Sequence, residues 1–454
     1  LVPGAAQRTT KAILSLANPC CNRRTESRID VVLSLGRGNA AARFHQRHCR
    51  IGRLAAGCAR AGAAMSGPLS GMKVLEMAGI GPGPFCGMML ADLGADILRV
   101  DRLEPTDLGL PLDRKFDVMA RGRRSIGLDL KQASAIAIAL ELIEKADVLI
   151  EGFRPGVAER LGIGPQICLA RNPRLVYGRI TGWGQDGPLA QSAGHDINYI
   201  AITGALHGIG RAGQAPVPPL NLVGDFGGGG MYLAFGILCA LYERGASGCG
   251  QVVDAAMTDG AASMLSTVYG RMAAGTWRDQ RGVNMIDGGA PWYDVYETAD
   301  GKHVAIGALE QRFYDELIKR LGLDVTDLPD RRDRSQWPQL RARLRDTFLQ
   351  KTRDQWCEIL EGHDACFAPV LSLGEAPLHR HNRARQTFVD AAGVIQPAPA
   401  PRFSRTPGAI VRGAPQRGEG AAALLSEWGF DASAIARFRA AGAHILDHQP
   451  DASP

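Results

Sequence analysis

His195 and Asp225 are the two residues in this sequence best suited to moving protons. Each stands beside glycine, in Ser192-Ala-Gly-His-Asp-Ile-Asn-Tyr199 and in Gly224-Asp-Phe-Gly-Gly-Gly-Gly230. There the backbone can approach a substrate closely, because little side-chain bulk intervenes. Imidazole gains or loses a proton near neutrality, and a desolvated carboxyl is pushed toward the same range. Set on opposite faces of a carbon acid, the two groups would take a proton from one face and return it to the other. The same residues also suit an interior histidine and an aspartate capping a helix that begins near Met231.

The elements that must hold such a pair are legible from Lys73 onward. Lys73–Ala78 and Asp96–Asp101 read as strands, Phe85–Gly94 as a helix, and Gly79-Ile-Gly-Pro-Gly-Pro84 as a loop between them. That loop imitates a dinucleotide-binding fingerprint. Pro82 and Pro84, however, remove two N–H groups that would cradle a pyrophosphate, and the third glycine is missing. Further strands are expected at 146–150, 172–182 and 250–256, with helices at Ala133–Lys145 and Met231–Glu243. Alternating strands and helices predict a parallel sheet covered on both faces. The glycine-rich start of the Met231 helix is expected to offer free N–H groups to developing negative charge. Arg102, and a basic cluster at Arg121, Arg123 and Arg124, fall at or near strand ends, where open α/β sheets take ligands. In isolation such charges also suit solvated loops. Met264, Met272 and Met285 could accommodate a mobile acyl chain or simply pack a core. A second domain is expected from about Pro291, with strands at 293–298 and 303–307 and a helix at Gln311–Leu321.

Several ordered motifs carry a resemblance. Gly194-His-Asp-Ile-Asn-Tyr199, Pro218-Pro-Leu-Asn-Leu-Val-Gly-Asp-Phe226 and Glu151-Gly-Phe-Arg-Pro-Gly-Val-Ala-Glu-Arg160 are similar to the α-methylacyl-CoA racemase branch of the family III CoA-transferase superfamily. Lys351–Cys357, Asp364–Val370, Pro401–Pro407 and Gly418–Ala440 extend the likeness, which runs from about Gly67 to about Leu446. The resemblance implies a Rossmann-like large domain, a smaller α/β domain and an interlocked homodimer. It places the active site between the large domain of one subunit and the small domain of the other. It divides the chain into a large domain at 65–290, a small domain at 291–394 and a returning segment at 395–454.

The implied reaction is epimerisation of a 2-methylacyl-CoA by two-base 1,1-proton transfer through an enolate, without metal or organic cofactor. CoA is then part of the substrate. His195 and Asp225 would be the acid/base groups, and Glu310 would orient or polarise His195. Arg102, Leu128, Asp129, Leu130, Lys131 and Arg160 would hold CoA, while Gly194, Asp196, Ile197, Asn198 and Tyr199 would line the reacting end. Backbone N–H groups near Asp196 would stabilise the enolate oxygen. The alternative is a CoA-transferase with Asp196 as nucleophile.

Charge and cysteine usage narrow the setting. The net charge of +6 is misleading, because residues 1–64 hold 11 Lys/Arg and only Glu26 and Asp30 as acids. The remainder carries 41 basic and 44 acidic residues, a net of −3, which gives no bulk attraction to nucleic acid. Residues 1–64 are expected to be a basic leader outside the family pattern, disordered or not native, with Met65 as the natural start. An Arg-rich, acid-poor leader also suits a transit peptide. No cysteine spacing suggests zinc, and the dispersed cysteines of the body suit a reducing, cytoplasmic compartment. The apolar stretch Met231–Tyr242 is too short to span a bilayer.

Overall fold

Side chains in a strand alternate faces, and this alternation divides the large domain into two cores. In a computed structural model that describes residues 67–104 and 112–447, Leu75 and Met77 join one core while Val74 joins the other. The expectations for the leader lie outside the described residues. In chain order come β1 (Lys73–Met77), α1 (Pro82–Asp92), β2 (Asp96–Asp101), β3 (Arg124–Gly127), α2 (Ala133–Lys145) and β4 (Val148–Glu151). They are followed by α3 (Val157–Leu161), α4 (Pro165–Arg171), β5 (Val176–Thr181), α5 (Asp196–Ile202) and α6 (Ala205–Gly208). A wide π-type helix, Leu222–Met231, runs on into α7 (Tyr232–Ser247), and β6 (Val252–Ala256), α8 (Met257–Met264) and α9 (Ser266–Ala273) complete this part.

The six strands form one parallel sheet in the order β3-β2-β1-β4-β5-β6. Their continuous apolar runs reflect burial on both faces. On one face lie α2 and the C-terminal helices, through Ile138, Leu142, Leu424 and Phe438. On the other lie α1 and α7, through Cys86, Leu90, Leu233 and Ile237. Strand order reverses between β1 and β4, so the loops leaving those strands part and open a crevice at the carboxyl edge.

The smaller sheet is antiparallel, β7 (Tyr293–Glu297), β8 (His303–Gly307) and β9 (Phe367–Val370). It packs with α10 (Gln311–Arg320), α11 (Trp337–Phe348) and α12 (Arg353–Leu360) around Trp292, Tyr314, Leu340, Phe348 and Trp356. After α13 (Arg380–Ala384), the hairpin β10 (Phe388–Ala391) and β11 (Val394–Pro397) leads back to the large domain. There α14 (Ala421–Glu427) and α15 (Ala432–Ala440) dock, and the chain bonds the edge strand β3. The Ser125 N–H donates to Glu419 O, and Gly127 and His444 exchange both of their backbone bonds.

Two expectations change here. The glycine run is not a free helix start: it lies inside the π-type helix, where Phe226 N–H already donates to Asn221 O. Missing Cβ atoms let this helix sit tightly on its neighbours. A Cβ at Gly228 would come within 2.7 Å of Ala261 N, and one at Gly230 within 2.7 Å of the Phe85 ring. In addition, Leu222–Ser247 forms a continuous helical length that is long and apolar enough to cross a membrane. Its glycine face packs inside the large domain, as interior helices of α/β folds do.

Candidate active site

α5 presents His195 because that residue occupies the N-cap position, where the chain is still extended. Asn198, three residues on, accepts the His195 N–H on its side-chain oxygen at 3.0 Å, as capping-box residues do. The preceding loop is clamped twice. Trp183 donates from its indole to Ser192 O at 3.1 Å, and the buried Tyr199 hydroxyl donates to Gly194 O. The two rings meet edge to face at 4.7 Å. This leaves the His195 side chain exposed on a fixed backbone.

The π-type helix delivers Asp225 to the same place. The Asp225 N–H donates to the Asp196 carboxylate at 2.7 Å, which ties the helix to the start of α5. Asn221, one turn earlier, donates to Asp225 Oδ2 at 3.1 Å. Gly81, at the start of α1, lies beneath: its φ is +67°, and a Cβ there would stand 3.1 Å from Asp225 Oδ2. Burial raises the Asp225 carboxyl above its ordinary range. The Asn221 bond pulls it back, Asp196 raises it, and His195 lowers it. His195 and Asp225 are thus within electrostatic reach of one another and share no hydrogen bond.

Asp196 is 6% exposed, and one carboxylate oxygen is committed to the Asp225 backbone, while its Oδ1 is buried without a hydrogen-bond partner among the described residues. Replacing Asp196 with alanine should therefore cost about 1–3 kcal/mol of stability by orphaning that N–H. It should also slow proton transfer about tenfold, the rate equivalent of ~1.4 kcal/mol. Asparagine at the same position keeps an acceptor and should restore most of both, as chemical unfolding and α-proton exchange would show.

Residues 69–421 match CoA-transferase family III. The chain belongs to that family. The α-methylacyl-CoA racemase of Mus musculus is 45% identical over 369 residues, covering 81% of this chain and 95% of that protein. The α-methylacyl-CoA racemase of Homo sapiens is 44% identical over 371 residues, with the same coverage of 81% and 95%. Among solved structures, a CAIB/BAIF family protein from Brucella suis superposes with a TM-score of 0.70 at 27% identity, covering 80% of this chain and 100% of that one.

The other candidate residues of this family III chain are distributed as follows. Arg102 is exposed just beyond β2 at the carboxyl edge. Leu128 beside it is a core residue, 1% exposed, with its N–H on Asp101 O. Leu130 packs on the same core, and Asp129 folds the turn by accepting from Lys131 N at 3.1 Å and from the Gln132 side chain. Lys131 and Arg160 are exposed, Arg160 on α3 after β4. Ile197 is 42% exposed beside His195. Met264 and Met272 are exposed, whereas Met285 packs against the small-domain core. Glu310 is the exposed N-cap of α10, and within this chain it makes no hydrogen bond or ion pair with His195.

The basic cluster is neither solvated nor available to phosphate. Arg121 is buried in a two-pronged bond to Asp92 at 2.6 and 3.0 Å, with Gln396 at 2.7 Å. Arg123 is buried on Glu76, and Arg124 pairs with Glu427. Sequence reading missed Asn221 and Gly81. The four-residue spacing from Asn221 to Asp225 was a helical signal, hidden by the glycines that follow it.

Asn221→Ala offers a test of the Asp225 environment. Removing a bond that lowers its pKa leaves burial less opposed, so the pKa rises further. With Asp225 as one of two acid/base groups, the acid limb of kcat/KM should move to higher pH for the enantiomer it would deprotonate, and the alkaline limb should move the same way for the enantiomer it would reprotonate.

Proposed function

We propose that the chain is an α-methylacyl-CoA racemase, interconverting (2R)- and (2S)-2-methylacyl-CoA thioesters. The observation that carries this reading is the pairing of an exposed His195 with a half-buried Asp225 of raised pKa, while Asp196 is committed to the backbone of Asp225. A thioester lowers the cost of losing its α-proton because the enolate oxygen shares the charge. One base removes the proton from one face, and the conjugate acid of the other delivers a proton to the opposite face. Metal and organic cofactor have no step to perform in this scheme. The Asp196 and Ile197 N–H groups, first in α5 and without an acceptor among the described residues, would receive the enolate oxygen. Such a donor is worth roughly 3–4 kcal/mol in oxyanion holes. Arg102, Lys131 and Arg160 would meet the phosphates of CoA, with Asp129 and the backbone of Leu128 and Leu130 shaping the turn.

The same reading includes a homodimer in which Glu310 of the partner subunit reaches His195. An exposed apolar stripe supports it: Met231, at the end of the π-type helix, and Phe235, Leu238 and Tyr242 of α7 recur at helical spacing and are 51%, 69%, 37% and 88% exposed. A cytoplasmic, reducing setting belongs to the proposal as well.

The test is to supply one enantiomer of a 2-methylacyl-CoA in D₂O with no acceptor acid. The racemase reading expects α-deuterium uptake and approach to an equal mixture of epimers. Transfer of CoA to an added carboxylate, dependent on Asp196 and without α-exchange, would establish the transferase instead.

A further inference from the structure

Four arginines surround a groove of about 380 Å³ between the 278–289 segment and the start of α11, remote in sequence from the proposed proton-transfer residues, and among the described residues no carboxylate lines it. Arg341 forms the floor, bonded to Gly288 O and Gly289 O and paired with Asp294. That one carboxylate also pairs with Arg211, so two cations share a single negative charge. Burial lowers the Arg341 pKa, and repulsion from Arg211 lowers it further. Arg345 stands one turn along α11 on the same face, a like-charged spacing that destabilises a helix. Its partner is Asp346, and both side chains are more than half exposed, at 58% and 59%, which makes that pair readily exchanged. Among the described residues Arg278 and Arg334 have no carboxylate partner, and Arg334 rests over the Trp337 ring at 5.2 Å.

This concentration of guanidinium groups exceeds the carboxylates paired with it, Asp294 and Asp346, the first of which is shared with Arg211. A single carboxylate ligand would neutralise only part of it. Guanidinium forks match phosphate oxygens two at a time, and the groove falls within the size range of small-molecule sites. Trp337 is already covered by Arg334, so the site is built for charge and not for stacking a base.

We infer that the groove formed by Arg278, Arg334, Arg341 and Arg345 binds an oligophosphate group, separately from the acyl-CoA site. The group would arrive either as free diphosphate or as the tail of a nucleotide.

Isothermal titration of the full chain with inorganic pyrophosphate, in the presence of saturating CoA, tests this. One site per chain is expected, weakening as salt is raised. Arg278→Ala/Arg334→Ala should weaken it about tenfold or more, while Arg102→Ala should leave it unchanged. Arg278→Ala alone, at an exposed side chain, gives a smaller loss without risk to folding. ADP in place of pyrophosphate distinguishes the sources: tighter binding identifies a nucleotide, equal binding the free anion. Pyrophosphate that fails to bind, is displaced by CoA, or binds the double variant as well as the parent overturns the inference.

Discussion

Asp225→Asn is expected to reduce epimerisation by about 10²–10⁴-fold, the usual contribution of a positioned acid or base, with little change in folding. Asparagine preserves the size of the side chain and an oxygen that can still accept from Asn221. It removes only the capacity to exchange a proton. The defect should be uneven between substrates. The enantiomer whose α-proton faces Asp225 loses deuterium exchange altogether, whereas the one facing His195 retains deprotonation and is hindered in reprotonation. His195→Ala should show the reverse preference. NMR of α-deuterium uptake, run separately on the two enantiomers, makes the comparison. Equal residual exchange from both enantiomers in either variant would remove that residue from the pair.

Arg123→Met should cost the fold about 3–5 kcal/mol, the range for stripping one partner from a buried ion pair. The Arg123 side chain is fully buried, with Nε on Glu76 Oε2 at 2.9 Å and further bonds to Met119 O, Arg121 O and Pro84 O. Methionine fills much of the space and leaves the Glu76 carboxylate without its counter-charge. Gly87 faces both groups so closely that a Cβ would fall within 2.4 Å of Glu76 Oε2. The cavity therefore cannot rearrange around a larger residue. Urea denaturation should register the loss, and Glu76→Gln added to Arg123→Met should recover part of it. Because Pro84 lies in the first turn of α1, next to the Gly81 beneath Asp225, activity should fall with stability.

These two cases mark where the sequence was readable. β1, β4 and α2 were visible because apolar runs and helical period record burial directly, and the proposed proton-carrying pair stood out by residue type and neighbouring glycine. The π-type helix was not visible, since seven residues from Gly224 to Gly230 include five glycines, which read as the open start of the Met231 helix until close packing on α1 and α8 explains them. Arg121 and Arg123 looked like surface charge because their partners Asp92 and Glu76 lie 29 and 47 residues away. Local pattern holds no record of such pairs. Asp196 was read through its backbone, and its side-chain bond to the Asp225 N–H spans 29 residues. Glu310, whose role came from the resemblance, makes no hydrogen bond or ion pair with His195 within the chain.

The return of the chain to β3 has a consequence for synthesis on the ribosome. The edge strand Arg124–Gly127 is completed by Glu419 and His444, and Arg437 grips Glu141 across 296 residues. Closing contacts of such separation is slow, and here it must also wait. All six strands of the parallel sheet emerge long before the segment that covers one side of them, so the nascent large domain carries an open edge and the bare apolar faces of β3 and α2 while the small domain is being made. Such exposed surface is what chaperones recognise and what drives premature association. Arrested nascent chains ending before Glu419 should therefore be captured by holdase chaperones, and chains extended past His444 released.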